Sequence, residues 1–315
     1  MFVAFDPGFG AIKLYGDKGG LSLPSVVAIA KGNIMAPMTG LRLTHPPVVV
    51  ETTSGRFYVG ENAHSWGRPV ENLDFDRLTG SPEILALLYG ALSRYDLPLD
   101  TFGMIVGLPV ASLCDTDQQA VKGLLRGEHH WVVDSQGKTA LIGNVLVTSQ
   151  PVGAMFDYLL TMDGEMTQEK RLVFRGEIGV LSVGMNTVEM LVVSNGAPVQ
   201  RFTAGGTLGV RRLLELTNHD GLYSLGELDA RLRQGTLDIH DAVPVWQSEV
   251  TGFVEKNWGS SYRRFQVIVV AGGGARILRD GLLMRFRDRA FIPDDPIIST
   301  ARGLYKYTLM KAQRK

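Results

Sequence analysis

At 315 residues the chain exceeds what one hydrophobic core usually serves, so two domains are expected. Apolar residues make up 45% and charged residues 20%, the balance of a globular protein and not of a disordered one. Lys plus Arg equals Asp plus Glu at 32 each, which excludes a global field drawing the chain onto nucleic acid or an anionic membrane, although the tail 311–315 is locally basic.

Residues 1–5 and 12–15 are short apolar runs flanking Asp6-Pro7-Gly8-Phe9-Gly10, which reads as strand, glycine turn, strand. This end has no basic stretch followed by an apolar one, so no export leader is expected. Further short extended runs fall at 23–28, 47–51 and 56–59. Residues 82–95 carry Ile84, Leu85, Leu87, Leu88 and Leu92 at helical spacing. Residues 102–110 read as a buried strand ending at a Gly-Leu-Pro turn. Cys114, the single cysteine, excludes an internal disulfide and a Cys-rich metal site, which fits a reducing cytoplasm. Its apolar neighbours make it a small buried thiol by expectation, not a nucleophile. A helix is predicted over 116–125, and His129-His130 reads as a surface turn entering a hairpin over 131–143.

From Asn144 the pattern repeats in kind. A strand at 145–148 and a helix over 152–162 precede two strands, 171–183 and 188–194, around a glycine-bearing turn. Helices are predicted over 209–216, with Arg211 and Arg212 outward, then over 225–232 and 243–257. A strand rich in β-branched residues, 264–271, empties into Gly272-Gly273-Gly274. A closing helix over 299–311 has Ser299 as its expected N-cap. Strands mixed with helices of this length predict an α/β sandwich, and no apolar run approaches the length that crosses a bilayer.

Four places hold residues suited to chemistry. Asp6 ends a strand before Gly8 and Gly10; glycine N–H groups can cradle an anion, a strand-end carboxylate can hold Mg²⁺ through water, and Lys13 is within reach of a phosphate. Taken alone, an ordinary hairpin with a surface Asp and Lys is the plainer reading. The stretch from Ser182 to Glu189 echoes the stretch from Asp6 to Lys13, with Gly184 matching Gly8. Its Gly184, Met185, Asn186 and Thr187 offer donors to phosphate, or simply form a β-turn. Gln150, in Gln150-Pro151-Val152-Gly153-Ala154, either orients an attacking water or belongs to a capping turn. The triple glycine followed by Arg276 either lets a ligand lie on backbone or makes a tight turn. It matches neither a dinucleotide fingerprint nor a P-loop. The six histidines form no zinc-hydrolase pair, and no Gly-x-Ser-x-Gly elbow is present.

The order of these motifs is more specific than any one of them. Asp-x-Gly-aromatic-Gly-x-x-Lys, Gln-Pro-x-Gly-Ala, a second glycine hairpin, Ala-Gly-Gly-Gly-Ala and a final Ala301-Arg302-Gly303-Leu304-Tyr305 helix together resemble the actin superfamily. Within it they resemble the bacterial and archaeal actin-like proteins of the ParM, plasmid-segregation type. Leu23-Pro24-Ser25-Val26-Val27-Ala28 and Tyr58-Val59-Gly60-Glu61-Asn62-Ala63 look like the N-terminal domain of that group, and the resemblance spans nearly the whole chain.

The resemblance implies an actin-like (ribonuclease H-like) two-domain α/β fold, with mixed five-stranded sheets flanked by helices. Domain I would span 1–149, domain II 150–297, and a closing helix at about 298–315 would return to domain I. ATP or GTP with Mg²⁺ would sit between them. Asp6 would lie under the metal and γ-phosphate, with Gly8, Phe9 and Gly10 giving backbone donors and Lys13 touching phosphate. Gln150 would position the hydrolytic water, and Gly184, Met185, Asn186 and Thr187 would form a second clasp. Gly272, Gly273 and Gly274 would lie along the adenosine, with Arg276 on the same edge. The family's second hairpin usually begins with Asp; here Ser182 stands there, and Glu177 cannot replace it without rearranging the strand. The implied protein is a cytoplasmic ATPase, slowed by Ser182. It would assemble with itself into filaments for plasmid or DNA segregation or cytoskeletal positioning, acting through a DNA-bound adaptor without touching nucleic acid. A non-catalytic or slow nucleotide-binding scaffold and a small-metabolite kinase on the same fold are the rival readings.

Overall fold

The computed structural model describes residues 1–31, 45–70, 77–95, 97 and 101–313; the last two residues of the basic tail lie outside them. The chain opens with an antiparallel meander, β1 (Phe2–Pro7), β2 (Ala11–Gly16) and β3 (Gly19–Pro24). It continues through β4 (Val27–Ile29), β5 (Val48–Thr52), β6 (Gly55–Val59), the single turns α1 (Ala63–Trp66) and α2 (Arg77–Gly80), and α3 (Pro82–Arg94). Then follow β7 (Thr101–Leu108), α4 (Asp115–Leu125), β8 (Gly127–Val133) and the long β9 (Gln136–Ser149). These nine strands form one sheet in the order β3-β2-β1-β7-β9-β8-β5-β6-β4. Its first five strands are the predicted mixed sheet. The other four extend it because β9 pairs with β7 along its second half and with β8 along its first.

The second half begins with α5 (Gln150–Leu159) and α6 (Gln168–Arg175). The strands β10 (Glu177–Val183), β11 (Val188–Ser194), β12 (Ala197–Pro198) and β13 (Ala204–Gly206) come next, then α7 (Val210–Thr217), α8 (Leu225–Arg233) and α9 (Ala242–Trp258). The strand β14 (Val267–Ala271), α10 (Gly274–Ile277), α11 (Arg279–Phe286), β15 (Ala290–Phe291) and α12 (Ser299–Gln313) complete it. The second sheet runs β12-β11-β10-β14-β15, with β13 also on β11. In both sheets the central strands are parallel, β1 with β7 and β10 with β14, and are covered on two faces. That is why they read as unbroken apolar runs and not as alternating ones.

Helices α5 and α12 pack on each other; α12 also lies on β1 and β7, and α5 on β10 and β14, so the pair stands between the two sheets. Their axes come so close that a Cβ on Gly303 would fall 1.8 Å from the Gly153 carbonyl oxygen. One buried network ties them: Arg302 donates to both oxygens of Asp157 at 2.7 and 2.6 Å, and Lys306 Nζ lies 2.8 Å from Asp157 Oδ1. Burial pushes the Asp157 carboxyl up, but its hydrogen bonds from Arg302 and Lys306 outweigh this and hold it below its usual value.

Several local expectations are corrected. Residues 171–175, predicted as strand, end helix α6, which Thr167 caps through its side chain; the strand starts only after Gly176. Residues 23–28 split at Pro24 into β3 and β4. Arg264 lies in a 3-10 turn, and the strand begins at Val267. Cys114 is exposed, because it caps α4 after a short turn lifts the chain off the core. His129 is buried within β8, bonded to Tyr89 Oη and the Leu125 carbonyl, while its neighbour His130 is exposed. Ser299 is the first helical residue and not the cap, with its hydroxyl buried and unpaired. No helix of the described residues is long and apolar enough to cross a membrane.

Candidate functional site

The two hairpins that echo each other in sequence face one cavity of about 310 Å³. In the first, β1 and β2 pair Asp6 directly with Lys13. Directly paired residues of antiparallel strands project to the same face, and Lys13 Nζ lies 3.1 Å from Asp6 Oδ2. Gln150, the first residue of α5, donates from Nε2 to Asp6 Oδ1 at 2.7 Å. Both oxygens of a carboxylate only 3% exposed are therefore held. The turn between the strands must be glycine at position 8, where a Cβ would meet Lys13 Nζ at 2.6 Å and the Ala11 carbonyl at 2.7 Å. Ser25 pins the turn from behind, with its hydroxyl on the Gly8 carbonyl at 2.6 Å and its N–H on the Gly10 carbonyl at 3.0 Å.

In the second hairpin the register pairs Ser182 with Glu189, and the Gly184 N–H closes the turn on the Thr187 carbonyl at 2.8 Å. The start of α7 sits on this turn. The N–H groups of Gly209, Val210 and Arg211 donate to the carbonyls of Asn186, Gly184 and Met185. These are donors that a helix start leaves without intrahelical partners, so turn and helix satisfy each other. The two hairpins touch, because a Cβ on Gly10 would lie 2.8 Å from Met185 Cβ.

The triple glycine supplies a third wall. Gly272 has φ +89, and a Cβ there would strike the Val183 carbonyl at 2.3 Å, so only glycine fits. Gly273 and Arg276 line the cavity with it. Gly274 does not: it begins α10 and turns inward against Val183 and Trp246, which corrects the expectation that all three glycines face the ligand. Arg276 pairs with Asp295 at 3.0 Å on the exposed rim.

The cavity thus gathers Asp6, Gln150, Ser182 and residues of all three glycine segments. It also holds residues that sequence reading passed over. Asp229 and Arg233 of α8 form an ion pair at 2.8 Å, and Arg233 Nη2 reaches across to the Gly10 carbonyl, also at 2.8 Å. Burial raises the Asp229 carboxyl, with Arg233 opposing. The available signal was an acid and a base four apart on an amphipathic helix. Beside the cavity, Glu189 is 2% exposed; its Oε1 accepts the Val110 N–H at 2.7 Å and its Oε2 has no partner. Burial pushes this carboxyl up to about 8; the Val110 N–H opposes the shift and the Asp6 charge adds to it. Its signal was a lone acid in the apolar run of β11.

Among the described residues, no group of three or more His, Cys, Asp and Glu is placed to hold a metal ion by itself. The donors present suit a cation that arrives on phosphate: one or two carboxylates, a lysine, and backbone around glycine. That is how Mg²⁺ is usually bound, keeping waters and phosphate oxygens as most of its ligands. The cavity lies at the lower end of the range of small-molecule sites.

Residues 4–153 match the family model described as "Actin like proteins N terminal domain". No curated protein matches the sequence. Among solved structures the chain is similar to apo pSK41 ParM, at 17% identity and a TM-score of 0.74 over 99% of this chain and 98% of that one. It is similar to the archaeal actin homologue Ta0583 in complex with ADP, at 19% identity and a TM-score of 0.73 over 100% and 99%. It is also similar to ParM of a 15-stranded filament from Clostridium botulinum, at 20% identity and a TM-score of 0.74 over 97% and 98%. At these identities the likeness is one of fold.

Proposed function

We propose that the chain is a nucleotide-dependent, filament-forming member of the actin superfamily, a reading supported by the family match of residues 4–153 and the actin-like fold of the whole. The observation that carries this reading is the convergence of Asp6, Gln150 and Gly273, far apart in sequence, on one cavity. We assign domain I to 1–149 with the closing helix at about 298–315, domain II to 150–297, and a purine nucleoside triphosphate to the cleft between them.

Asp6 and Lys13 form the pair that meets the terminal phosphates, Lys13 as the counter-charge and Asp6 as the carboxylate toward the metal shell. The turns at Gly8–Gly10 and Gly184–Thr187 clasp the phosphates from the two sides, and Gly272, Gly273 and Arg276 line the edge along the nucleoside. Mg²⁺, when bound, would neutralise phosphate charge and polarise the γ-phosphoryl group. Gln150 commits its N–H to Asp6, which fixes the side chain and leaves its Oε1 as the acceptor that orients an attacking water. Phosphates bound by both turns would hold the two domains together, and loss of the γ-phosphate would loosen them. A head-to-tail contact that does not close into a ring then extends as a filament. Related proteins named above include an ADP complex and a filament, which supports nucleotide binding and self-assembly here. A cytoplasmic role in DNA segregation through an adaptor follows from the family alone.

Ser182 favours a second reading, a slow or non-catalytic nucleotide-binding scaffold, because a neutral hydroxyl stands where an acid is expected. The experiment is a series on the full chain: melting with ATP or GTP and Mg²⁺, then phosphate release, then light scattering and electron microscopy. A melting shift with phosphate release and filaments supports the first reading. A shift without phosphate release supports the scaffold, and no shift removes both.

A further inference from the structure

We propose that Glu189 supplies the acidic group that Ser182 lacks, standing as the second carboxylate beside the Mg²⁺ of a bound nucleotide. The inference rests on the nucleotide reading above and concerns how this chain completes that site.

Ser182 and Glu189 are directly paired across β10 and β11, so their side chains share the face on which Ser182 lines the cavity. In the first hairpin the equivalent pair is Asp6 and Lys13, and both members line the cavity. The first hairpin carries its acid on the outgoing strand and a base on the returning one. The second carries a neutral residue on the outgoing strand and an acid on the returning one. The acid has changed strand without leaving the face.

The state of Glu189 points the same way. Among the described residues it has no ion-pair partner, and one of its two oxygens has no hydrogen bond at all. A carboxyl buried like this is costly unless something positive reaches it. The charge that acts on it is not a cation but Asp6, which repels it. Glu189 lies enclosed beside the cavity wall, and two acids that repel each other, one of them paired with Lys13, are the arrangement that a divalent cation turns from repulsion into attraction. The Val110 N–H holds Oε1, which fixes the side chain and leaves Oε2 as the free acceptor.

A purely structural role is separable, because the bond from Val110 asks only for an acceptor oxygen. Glu189→Gln keeps that oxygen and the volume and removes the charge. The test measures the dissociation constant of ATP for the full chain in EDTA and in excess Mg²⁺, and takes the ratio as the tightening due to the metal. For the unaltered chain Mg²⁺ tightens ATP. For Glu189→Gln the constant in EDTA stays within about threefold, while the tightening falls at least tenfold; Ser182→Asp added to it restores the tightening. Glu189→Asp, which keeps the charge, retains most of the tightening and serves if the Gln variant does not fold. Equal tightening in Glu189→Gln and the unaltered chain overturns the proposal and leaves the nucleotide reading standing. Absence of ATP binding by the unaltered chain in either buffer overturns both.

Discussion

Gln150 Nε2 lies 2.7 Å from Asp6 Oδ1, tying the first residue of α5 to the end of β1 across most of the first half of the chain. If Gln150 orients water while Asp6 faces the metal shell, the two functions separate on mutation. Gln150→Ala is expected to bind ATP·Mg²⁺ within about threefold of the unaltered chain while phosphate release falls by about two orders of magnitude, the usual scale for losing one positioned polar group. Parallel binding and single-turnover assays check it. An equal loss in both would assign Gln150 to binding alone.

Ser182→Asp tests how complete the site is without its expected acid. With Glu189 in place, phosphate release is expected to rise by less than about tenfold. A rise of about two to three orders of magnitude would mean that the charge is missing from the cleft. Phosphate release at saturating ATP·Mg²⁺ distinguishes the two.

Arg233 straps α8 to the first turn through the Gly10 carbonyl and holds the buried Asp229. Because Arg233 is about 38% exposed, its ion pair is partly screened, and Arg233→Ala is expected to cost only about 1 kcal/mol in urea unfolding. The larger effect is local: amide hydrogen exchange around Gly10 should quicken severalfold without nucleotide. Unchanged exchange there would show that the strap does not hold the turn.

Two buried acids set opposite pH dependences. Asp157 is held below its usual value by Arg302 and Lys306 against the upward push of burial, so its stabilisation is present above the unfolded value near 4 and lost as the pH falls through the folded one. Glu189 is raised to about 8, so the folded apo protein binds a proton that the unfolded chain releases above about 4.3. Stability therefore falls as the pH rises from there through about 8. Urea unfolding of the apo protein across this range should show the decline, and Glu189→Gln should flatten it. Asp157→Asn should instead cost about 3 kcal/mol at neutral pH, because it leaves the buried Lys306 and the partly buried Arg302 without their charge partner.

The parts legible in the sequence were those governed by local physics. Gly8 is demanded by Ala11 and Lys13 within its own hairpin, the strand emptying into Gly272 is visible as a β-branched run before glycines, and the parallel strands β1, β7, β10 and β14 announce themselves as apolar runs. Contacts between distant segments were not legible. Tyr89, forty residues away, draws His129 inside, and the pairing of β5 with β8 joins β5, β6 and β4 to the first sheet. Helix α6 was hidden because Leu172, Val173 and Phe174 mimic a strand, although Thr167 was a readable cap. Asp229, Arg233 and Glu189 were each visible as residues, but only the fold shows that Arg233, paired with Asp229, meets the first turn and that Glu189 meets the Val110 N–H.

Direct titration of ATP·Mg²⁺ into the full chain and into Gly273→Val tests the central claim most closely. A Cβ at Gly273 meets nothing nearer than Ile297 at 4.0 Å, so the variant has room to fold while its methyl groups enter the cleft. One equivalent of nucleotide should bind the unaltered chain, and at least tenfold more weakly the variant. No binding to the unaltered chain, or equal binding to both, would contradict a nucleotide seated between the two turns and the triple glycine.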